Sequence, residues 1–556
     1  MVRVKKFVRT LFSHQFSSFT YLNITQFLGA LNDNIYKLLI VFFLIQQWGI
    51  SESPLILSTT GAVFVLPFLL FSTNSGTLAD RFSKRNIIVL TKILELLVMS
   101  IGMLSFAFES AIGSYITLFM MATQSAIFGP SKYGIIPELV QTEKISSANG
   151  LLTSFTFLAI IIGTFLASFM TDITDYNFVV ASLTCAMISL AGVIMSFGIE
   201  YTPPAGSQKR LSIRLFTALR QTMKQSYEIP SLAPCIIGSC FFLFLGAFVQ
   251  LNMIPYAVES LGLTDVQGGY LFLLTALGIG TGSILAGKIS GKTVELGLVP
   301  IASIGIMFSL FALDFFSFSL PIILVLMVIV GMLGGIYQIP LDSYIQVASP
   351  NDIRGQVVAT TNFLSFTGVL AASGAIYLFS AVFGLKAHQS FGVLGFFAAF
   401  VALYYAIHFS DYLIRLIGMV LSKFIFKVEY EGAEELPEPA VFVSNTSCCK
   451  DLLLLFGLQR LRLRFLLLEG DSHFTPSKFT SLLFGIRRVK TPEELLKKVE
   501  AYREQNFSLC LLISSNQKEE LHKVVQNSPI AMLPLTIETN KKPGRNHARV
   551  SVGAAL

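Results

Sequence analysis

Long apolar runs recur along most of this 556-residue chain, from about Tyr21 to about Phe409. Each run has close to the twenty or so residues that an α-helix needs to cross about 30 Å of hydrocarbon. They predict twelve membrane-spanning helices, near residues 21–45, 54–74, 87–107, 113–128, 148–170, 177–199, 233–256, 268–287, 298–317, 320–340, 357–379 and 391–410. The composition agrees, because 53% of the residues are hydrophobic and only 13% are charged, against about a quarter charged in soluble domains. The first run lacks a small-residue cleavage site, which indicates a retained helix and not a signal peptide.

The basic residues fall on one side of these spans. With the N-terminus inside, the inner segments carry Arg3, Lys5, Lys6, Arg9, Arg81, Lys84, Arg85, Lys132, Lys144, Lys209, Arg210, Arg214, Arg220, Lys224, Lys288, Lys292, Arg354 and Arg415. The outer loops hold only Lys386. By the positive-inside rule, both the N-terminus and the C-terminal segment are expected in the cytoplasm, at a bacterial inner membrane. The net charge of +7 is then a topology signal, and no nucleic-acid partner is expected.

The longest internal loop divides the spans six and six. This loop, residues 201–230, contains Pro203, Pro204, Gly206 and five basic residues. It joins halves at about 1–200 and 231–411. Two six-helix halves joined by a basic linker predict an all-α transporter whose halves rock about a substrate site near the midplane.

The loop between spans two and three reads Gly76-Thr-Leu-Ala-Asp80-Arg81-Phe-Ser-Lys84-Arg85. It resembles the G-x-x-x-D-R-x-x-[RK]-[RK] signature of the major facilitator superfamily, in sequence and in position. Gly76 permits close helix approach, Asp80 is expected to hold backbone or basic groups at a cytoplasmic gate, and the arginines are expected to anchor at lipid headgroups. The alternative is a merely basic inner loop. The equivalent segment of the second half, residues 287–300, lacks the Asp-Arg pair, so the two gates are not expected to be equivalent.

Span one carries a polar cluster, Asn32-Asp33-Asn34 followed by Lys37, in an otherwise apolar helix. An ionisable group there costs about 2.5–3.5 kcal/mol on insertion scales, so it should face a cavity or a partner. Asp33 and Lys37 are four residues apart and are candidates for a mutual ion pair. One interpretation makes these four residues a substrate-binding face; the other makes them structural glue between helices. A second pair in span three, Lys92 and Glu95, is interpreted as structural.

Three further stretches narrow the family. They are Phe128-Gly-Pro-Ser-Lys-Tyr-Gly-Ile-Ile-Pro-Glu-Leu139, Ile145-Ser-Ser-Ala-Asn-Gly-Leu-Leu152 and Pro340-Leu-Asp-Ser-Tyr-Ile-Gln346. With the span-one cluster, they resemble the lysophospholipid transporter family over about residues 15–410. The resemblance implies inward movement of lysophosphatidylethanolamine and related lipids to the cytoplasmic leaflet, where an acyltransferase restores the missing chain. It implies membrane lipids as partners, together with a separate acyltransferase or acyl-carrier-protein synthetase.

After the twelfth span the long apolar runs end and the composition of the sequence changes. An apolar, basic stretch at 412–427 is too short and too charged for a further span and is interpreted as an interfacial helix. Residues 428–556 alternate short β-rich runs with helical patterns, which predicts a small α/β domain.

The start of this tail resembles the glycerolipid acyltransferase domain, whose N-H-x-S-x-x-D motif supplies a histidine base and an orienting aspartate. Asn445 and Asp451 match, but Thr446 stands in the histidine position, and a threonine hydroxyl cannot accept a proton near neutral pH. The phosphate-binding F-P-E-G-T-R motif is also missing near residues 513–518. The domain is therefore expected to be degenerate and inactive, and no cofactor or metal is expected. The alternatives are a bifunctional transporter and acyltransferase, and an exporter of another amphiphile.

Overall fold

The computed structural model describes residues 17–49, 52–209, 215–291, 293–431, 440–444, 452, 454–456, 463–468, 481, 486–504, 508–512, 532–541 and 546–553. Within these ranges, twelve helices are long and apolar enough to cross a membrane. They are α1 (Ser18–Trp48), α2 (Ser53–Arg81), α3 (Lys84–Ala107), α4 (Ala111–Gly134), α5 (Ile145–Ile173), α6 (Phe178–Phe197), α7 (Leu232–Leu261), α8 (Asp265–Ser290), α9 (Leu298–Phe315), α10 (Leu320–Ala348), α11 (Arg354–Tyr377) and α12 (Ala387–His408). The prediction of twelve spans is confirmed.

Short polar side chains begin several of these helices. The hydroxyls of Ser17, Ser83 and Ser110 each accept a hydrogen bond from a backbone N–H of the first turn. Thr264 and Gln267 form a reciprocal capping box at the start of α8. These caps satisfy backbone donors that have no partner within the helix, and so they fix where the helices begin.

Glycines allow the closest helix contacts. In the second half, Gly278, Gly331 and Gly335 bring the backbones of α8 and α10 together, and a methyl group at any of them would collide with the facing backbone. Between the halves, Gly150 of α5 meets the backbone of α8 at Ser283 in the same way. In lipid there is no hydrophobic driving force between helices. Small residues at such crossings allow the close van der Waals packing that holds the helices together instead.

The segment between the halves contains its own helix, Leu215–Glu228, called here the linker helix. Leu219, Thr222 and Ser226 are buried on one face, while Phe216 and Lys224 are exposed. The end of the bundle that carries this segment is called the linker end below.

The chain forms two compact units: residues 1–294 with 302–402, and residues 295–301 with 403–556. The second unit contains α13 (Ser410–Ile425), a sheet and α14 (Pro492–Glu504). The strands are β1 (Phe426–Glu431), β2 (Val441–Ser444), β3 (Leu463–Leu468), β4 (Ile486–Val489), β5 (Ser508–Leu512), β6 (Met532–Lys541) and β7 (Asn546–Val552). The predicted small α/β domain is confirmed as a fold, while its boundaries at 411 and 427 stay a prediction.

The seven strands lie in the order β1-β7-β6-β2-β5-β3-β4. All pairs are parallel except β6 with β7. Every residue of β5 is buried, as expected for a central strand of a parallel sheet that is covered on both faces. The buried Arg415 of α13 forms an ion pair with Glu295 in the same unit.

Candidate functional site

Asp80 joins the two halves of the bundle at the linker end. Its side chain is fully buried, and its carboxylate accepts hydrogen bonds from Gly355 N at 2.6 Å and from Gln356 N at 3.0 Å. Gln356 Nε2 donates a third bond at 3.0 Å. Gly355 and Gln356 lie in the first turn of α11, where free N–H groups and the helix dipole favour an anion. The Asp80 side chain therefore holds the backbone of the opposite half, one of the two partners that the sequence predicted.

Gly76 lies one turn before Asp80 on the same face of α2. A methyl group there would be 2.6 Å from Gly355 O and 2.6 Å from the Ala359 Cβ atom. Both distances are well below van der Waals contact, so only glycine allows α2 and α11 to approach this closely. The close helix approach expected at Gly76 is present, while its role in gating stays a prediction.

The two arginines of the loop differ in their surroundings. Arg85 donates from Nε to Ile199 O at 3.2 Å and from Nη2 to Phe197 O at 3.3 Å, at the carboxyl end of α6. A cation satisfies free carbonyl groups at such a helix end. Arg85 thus ties α3 to α6, which differs from the expected headgroup anchor. Arg81 is exposed, and its role at the headgroups stays a prediction.

A second contact between the halves also lies at the linker end. Asn149 of α5 donates to Gln346 Oε1 of α10 at 3.0 Å and accepts from Gln346 Nε2 at 2.9 Å. Asn149 Nδ2 also donates to Ser343 Oγ at 3.1 Å. This contact uses neutral amides where the α2–α11 contact uses a carboxylate, so the two contacts differ in chemistry.

The linker reinforces the first contact. Lys209 Nζ donates to Gln356 Oε1 at 2.6 Å, and this orients the Gln356 amide so that its Nε2 faces Asp80. Burial lowers the pKa of the Lys209 ammonium, and the nearby Asp80 carboxylate opposes that shift. The linker is therefore attached to the residues that close the linker end.

A buried polar network lies inside the first half. Lys92 and Glu95 form an ion pair at 2.6 Å with side chains that are 2% and 1% exposed, so the predicted pair is present. Asn32 Nδ2 donates to Glu95 Oε1 at 3.2 Å and to Ser189 Oγ at 2.8 Å. Gln124 Nε2 approaches the other Glu95 oxygen at 3.5 Å. Shared hydrogen bonds offset the cost of burying these charges.

The other three residues of the span-one cluster have separate partners. Asp33 is partly exposed and accepts a hydrogen bond from Ser125 Oγ of α4 at 2.8 Å on Oδ2, while its Oδ1 atom is buried and has no hydrogen-bond partner among the described residues. Asn34 Nδ2 donates to Ala30 O of the same helix at 2.8 Å. Lys37 Nζ lies 5.4 Å from the centre of the Phe64 ring. The expected Asp33–Lys37 ion pair does not form within 4 Å, because each side chain is turned to a different neighbouring helix.

Two charged side chains that sequence reasoning did not select also lie within the spans and are partly exposed. Asp342 of α10 accepts from Gln338 Nε2 at 2.7 Å and from Ser239 Oγ of α7 at 3.1 Å. Lys132, which the sequence placed in an inner segment beyond span four, lies in the last turn of the longer helix α4, with its Nζ 4.5 Å from the centre of the Tyr133 ring. Both stand in the stretches that indicated the family. Their ionisable character within apolar spans was the signal that could have singled them out.

Comparison with known proteins agrees with the fold. Residues 22–373 match the Major Facilitator Superfamily. The chain is similar to "Lysophospholipid transporter LplT" of Yersinia pestis (strain Pestoides F), with 27% identity over 373 residues that cover 65% of this chain and 86% of that protein. The protein of the same name from Yersinia pseudotuberculosis serotype O:3 (strain YPIII) gives the same figures.

Among solved structures, the human organic anion transporter MFSD10 (TETRAN) superposes with a TM-score of 0.58 at 14% identity, over 70% of this chain and 100% of that chain. A bacterial homologue of the iron transporter ferroportin in its outward-facing state gives a TM-score of 0.56 at 14% identity, over 71% and 99%. At these identities the likeness shows the fold alone. With twelve spans, two six-helix halves and the matched family, the chain belongs to the Major Facilitator Superfamily and is a multi-pass membrane transporter.

Proposed function

We propose that this protein moves lysophospholipids such as lysophosphatidylethanolamine to the cytoplasmic leaflet of a bacterial inner membrane. The similarity to transporters named for lysophospholipids supports this substrate class, since it extends over 86% of their length. A lipid with one acyl chain needs a polar patch for its headgroup and an apolar surface for its tail.

The observation that carries the proposal is Asp33, an ionisable residue in an apolar span with an unpartnered carboxylate oxygen. An unpaired buried acceptor costs free energy unless a ligand or water satisfies it. Asp33 therefore provides a headgroup contact. Asn34 and Lys37 lie on the same helix within about one turn of Asp33. Asn32 is buried and supports this part of the helix through its hydrogen bond to Glu95.

Aromatic rings from the two halves meet close to Lys37. The rings of Phe68 in α2 and Phe366 in α11 stack with their centres 4.0 Å apart. Phe64, one turn before Phe68, carries the Lys37 ammonium over its ring. Aromatic side chains beside a charged side chain such as Lys37 suit a single-chain amphiphile, because its tail needs no hydrogen-bonding partners.

The orientation and the closed end support inward transport. The positive-inside rule favours a cytoplasmic position for the linker end, the N-terminus and the C-terminal domain. Asp80 and Asn149 join the halves at that end, so substrate enters from the opposite, outer side and leaves inward when these contacts open. Gly76, Asp80, Arg81 and Arg85 thus form or brace the cytoplasmic gate.

The C-terminal domain is proposed to lack acyltransferase activity. Its motif positions Asn445, Thr446 and Asp451 lie outside the described residues, so this rests on the sequence. The domain either docks a separate acyltransferase or acyl-carrier-protein synthetase, or stabilises the transporter.

The test uses purified protein in liposomes that carry labelled lysophosphatidylethanolamine and an acyl donor. Crossing is followed by extraction of the outer leaflet with albumin, and acylation by chromatography of the lipids. Asp33→Asn is compared with wild type and with Asp172→Asn, which removes an exposed carboxylate from the same half.

Crossing that fails in Asp33→Asn, persists in Asp172→Asn and yields no acylated product supports the proposal. Acylated product from wild type contradicts the assignment of Thr446 and favours a bifunctional protein. No crossing by wild type refutes the lysophospholipid substrate and favours export of another amphiphile.

A further inference from the structure

One face of α4 extends from the span-one cluster to the second half of the protein. Ser125, Gly129 and Lys132 lie on this face at helical spacing. Ser125 donates to Asp33 of α1, whereas a methyl group on Gly129 would lie 3.2 Å from Asn362 Nδ2 of α11. Lys132 therefore stands one turn beyond a point where the two halves meet.

The Lys132 ammonium has aromatic neighbours but, among the described residues, no carboxylate within 4 Å. Its Nζ lies 4.5 Å from the centre of the Tyr133 ring and 5.8 Å from that of the Phe128 ring. Among the ion pairs of the described residues, none within 4 Å includes Lys132. Lys132 lies in the last turn of α4, and a partly buried ammonium there is stabilised by an anionic partner, which points to an anionic group supplied from outside the chain.

Asp342 is a partly exposed carboxylate on α10 of the second half. Both hydrogen bonds that it accepts, from Gln338 and Ser239, go to Oδ1, and they fix the carboxylate on α10. Its charge attracts that of Lys132, which also interacts with the charges of Lys92 and Asp33, but none of the ion pairs within 4 Å among the described residues joins Lys132 to Asp342. The two opposite charges are therefore fixed in place and separated.

A purely structural pair would be closed. Lys92 and Glu95 show what such a pair looks like in this protein, since their atoms approach to 2.6 Å and are almost fully buried. Lys132 and Asp342 are instead partly exposed. Two separated charges of opposite sign suit a ligand that carries both signs itself, so that each ligand charge meets its complement.

We propose that Lys132 and Asp342 are specificity-determining residues of the headgroup site, with Lys132 binding the phosphate and Asp342 binding the ammonium of a zwitterionic lysophospholipid. This inference rests on the proposed transport of lysophospholipids and adds the residues that select the headgroup. Because one residue belongs to each half, the headgroup bridges the halves.

The experiment compares two lipids with the same acyl chain in the same liposome assay. Lysophosphatidylethanolamine carries a phosphate and an ammonium, whereas lysophosphatidylglycerol carries the phosphate alone. Asp342→Asn should slow the ethanolamine lipid by roughly 10-fold or more, as expected for loss of a charged hydrogen bond, and leave the glycerol lipid unchanged or faster. Lys132→Gln should slow both lipids, and Lys132→Arg should restore much of the rate.

The ratio of the two rates separates specificity from folding, since a misfolded variant loses both. If the Asp342→Asn variant transports neither lipid, binding is measured instead, as the increase in unfolding temperature of the purified variant when each lipid is added. The expected result is then that the variant no longer shows the wild-type preference for the ethanolamine lipid. Lys144→Gln, at an exposed lysine of the same half, is the charge-matched control and should behave as wild type.

The outcomes distinguish the two proposals. A wild-type protein that moves neither lipid refutes the proposed function. A wild-type protein that moves both, together with an Asp342→Asn variant that keeps the wild-type ratio, overturns the headgroup assignment and leaves the transport function standing.

Discussion

Asp80→Asn is expected to open the linker end. The Asp80 carboxylate accepts three hydrogen bonds, from Gly355 N, Gln356 N and Gln356 Nε2, at 2.6–3.0 Å. An asparagine can accept with one oxygen only, and its NH2 group would face a backbone N–H that also donates. At least one buried donor therefore loses its partner when the halves meet, and it can be hydrated only when they separate.

The size of the effect follows from these bonds. A hydrogen bond to a charged group contributes about 1.5–3 kcal/mol. Loss of one such bond in the closed state alone changes the ratio of open to closed molecules by roughly 10- to 150-fold, since about 1.4 kcal/mol is a factor of ten. A gate that is open in about 1% of molecules would then be open in roughly 10–60% of them.

Electron–electron double resonance measures this ratio directly. Spin labels at Phe82→Cys and Asp352→Cys occupy exposed positions on opposite sides of the contact, in a background without the six native cysteines. Asp80→Asn should shift a substantial fraction of molecules to longer distances, and Asp172→Asn, at the opposite end, should not. A distance distribution for Asp80→Asn that matches wild type would refute the view that this carboxylate holds the halves together.

Three further perturbations test separate parts of the structure. Gly76→Ala should lengthen the distance between the same two spin labels, because overpacking the contact costs about 1–3 kcal/mol. Gly61→Ala should leave that distance unchanged, since a methyl group there would have nothing within 4 Å. Equal distance distributions for the two variants would count against the steric argument. Lys92→Met and Glu95→Gln should each lower the free energy of unfolding by about 3–5 kcal/mol, and the double variant by less than their sum, as measured by thermal unfolding in detergent; simple additivity would contradict a coupled pair. In a background without the native Trp48, Phe424→Trp in α13, at a position that is 76% exposed, should be quenched by brominated lipids, while a tryptophan in strand β4 should not; an unquenched tryptophan at position 424 would exclude an interfacial helix.

The number of spans and the gate could be predicted from the sequence because both depend on local information. A run of apolar residues near membrane thickness needs no tertiary context to form a helix. The Gly76–Arg85 motif places its residues within three turns of one helix and its loop, so spacing alone specified the close approach at Gly76. The backbone partner on α11 is 275 residues from Asp80, and no periodicity could have identified it.

The side chains of span one show where local information ends. Asn32, Asp33 and Asn34 are adjacent, so they point in directions about 100° apart around the helix. Apolar residues are spread around the whole helix, so no distinct polar face indicates which residue turns inward. The direction of each side chain is set by the packing of the neighbouring helices. Asn32 contacts Glu95 and Ser189, whereas Asp33 contacts Ser125. For the same reason the Asp33–Lys37 spacing predicted a pair that the neighbouring helices do not allow.

The two polar features of α10 are close enough to influence each other. Asp342 and Gln346 are one turn apart on the same face of that helix, and Gln346 forms the amide contact with Asn149 that closes the linker end. A ligand held between Lys132 and Asp342 would bind one turn from this contact and would bridge the same two halves. Any shift of α10 that improves the fit to the ligand must therefore alter the Asn149–Gln346 geometry. Ligand binding can therefore favour one geometry of the Asn149–Gln346 contact over the other. Such a difference in affinity between the closed and open forms is what a substrate needs in order to shift the equilibrium between them.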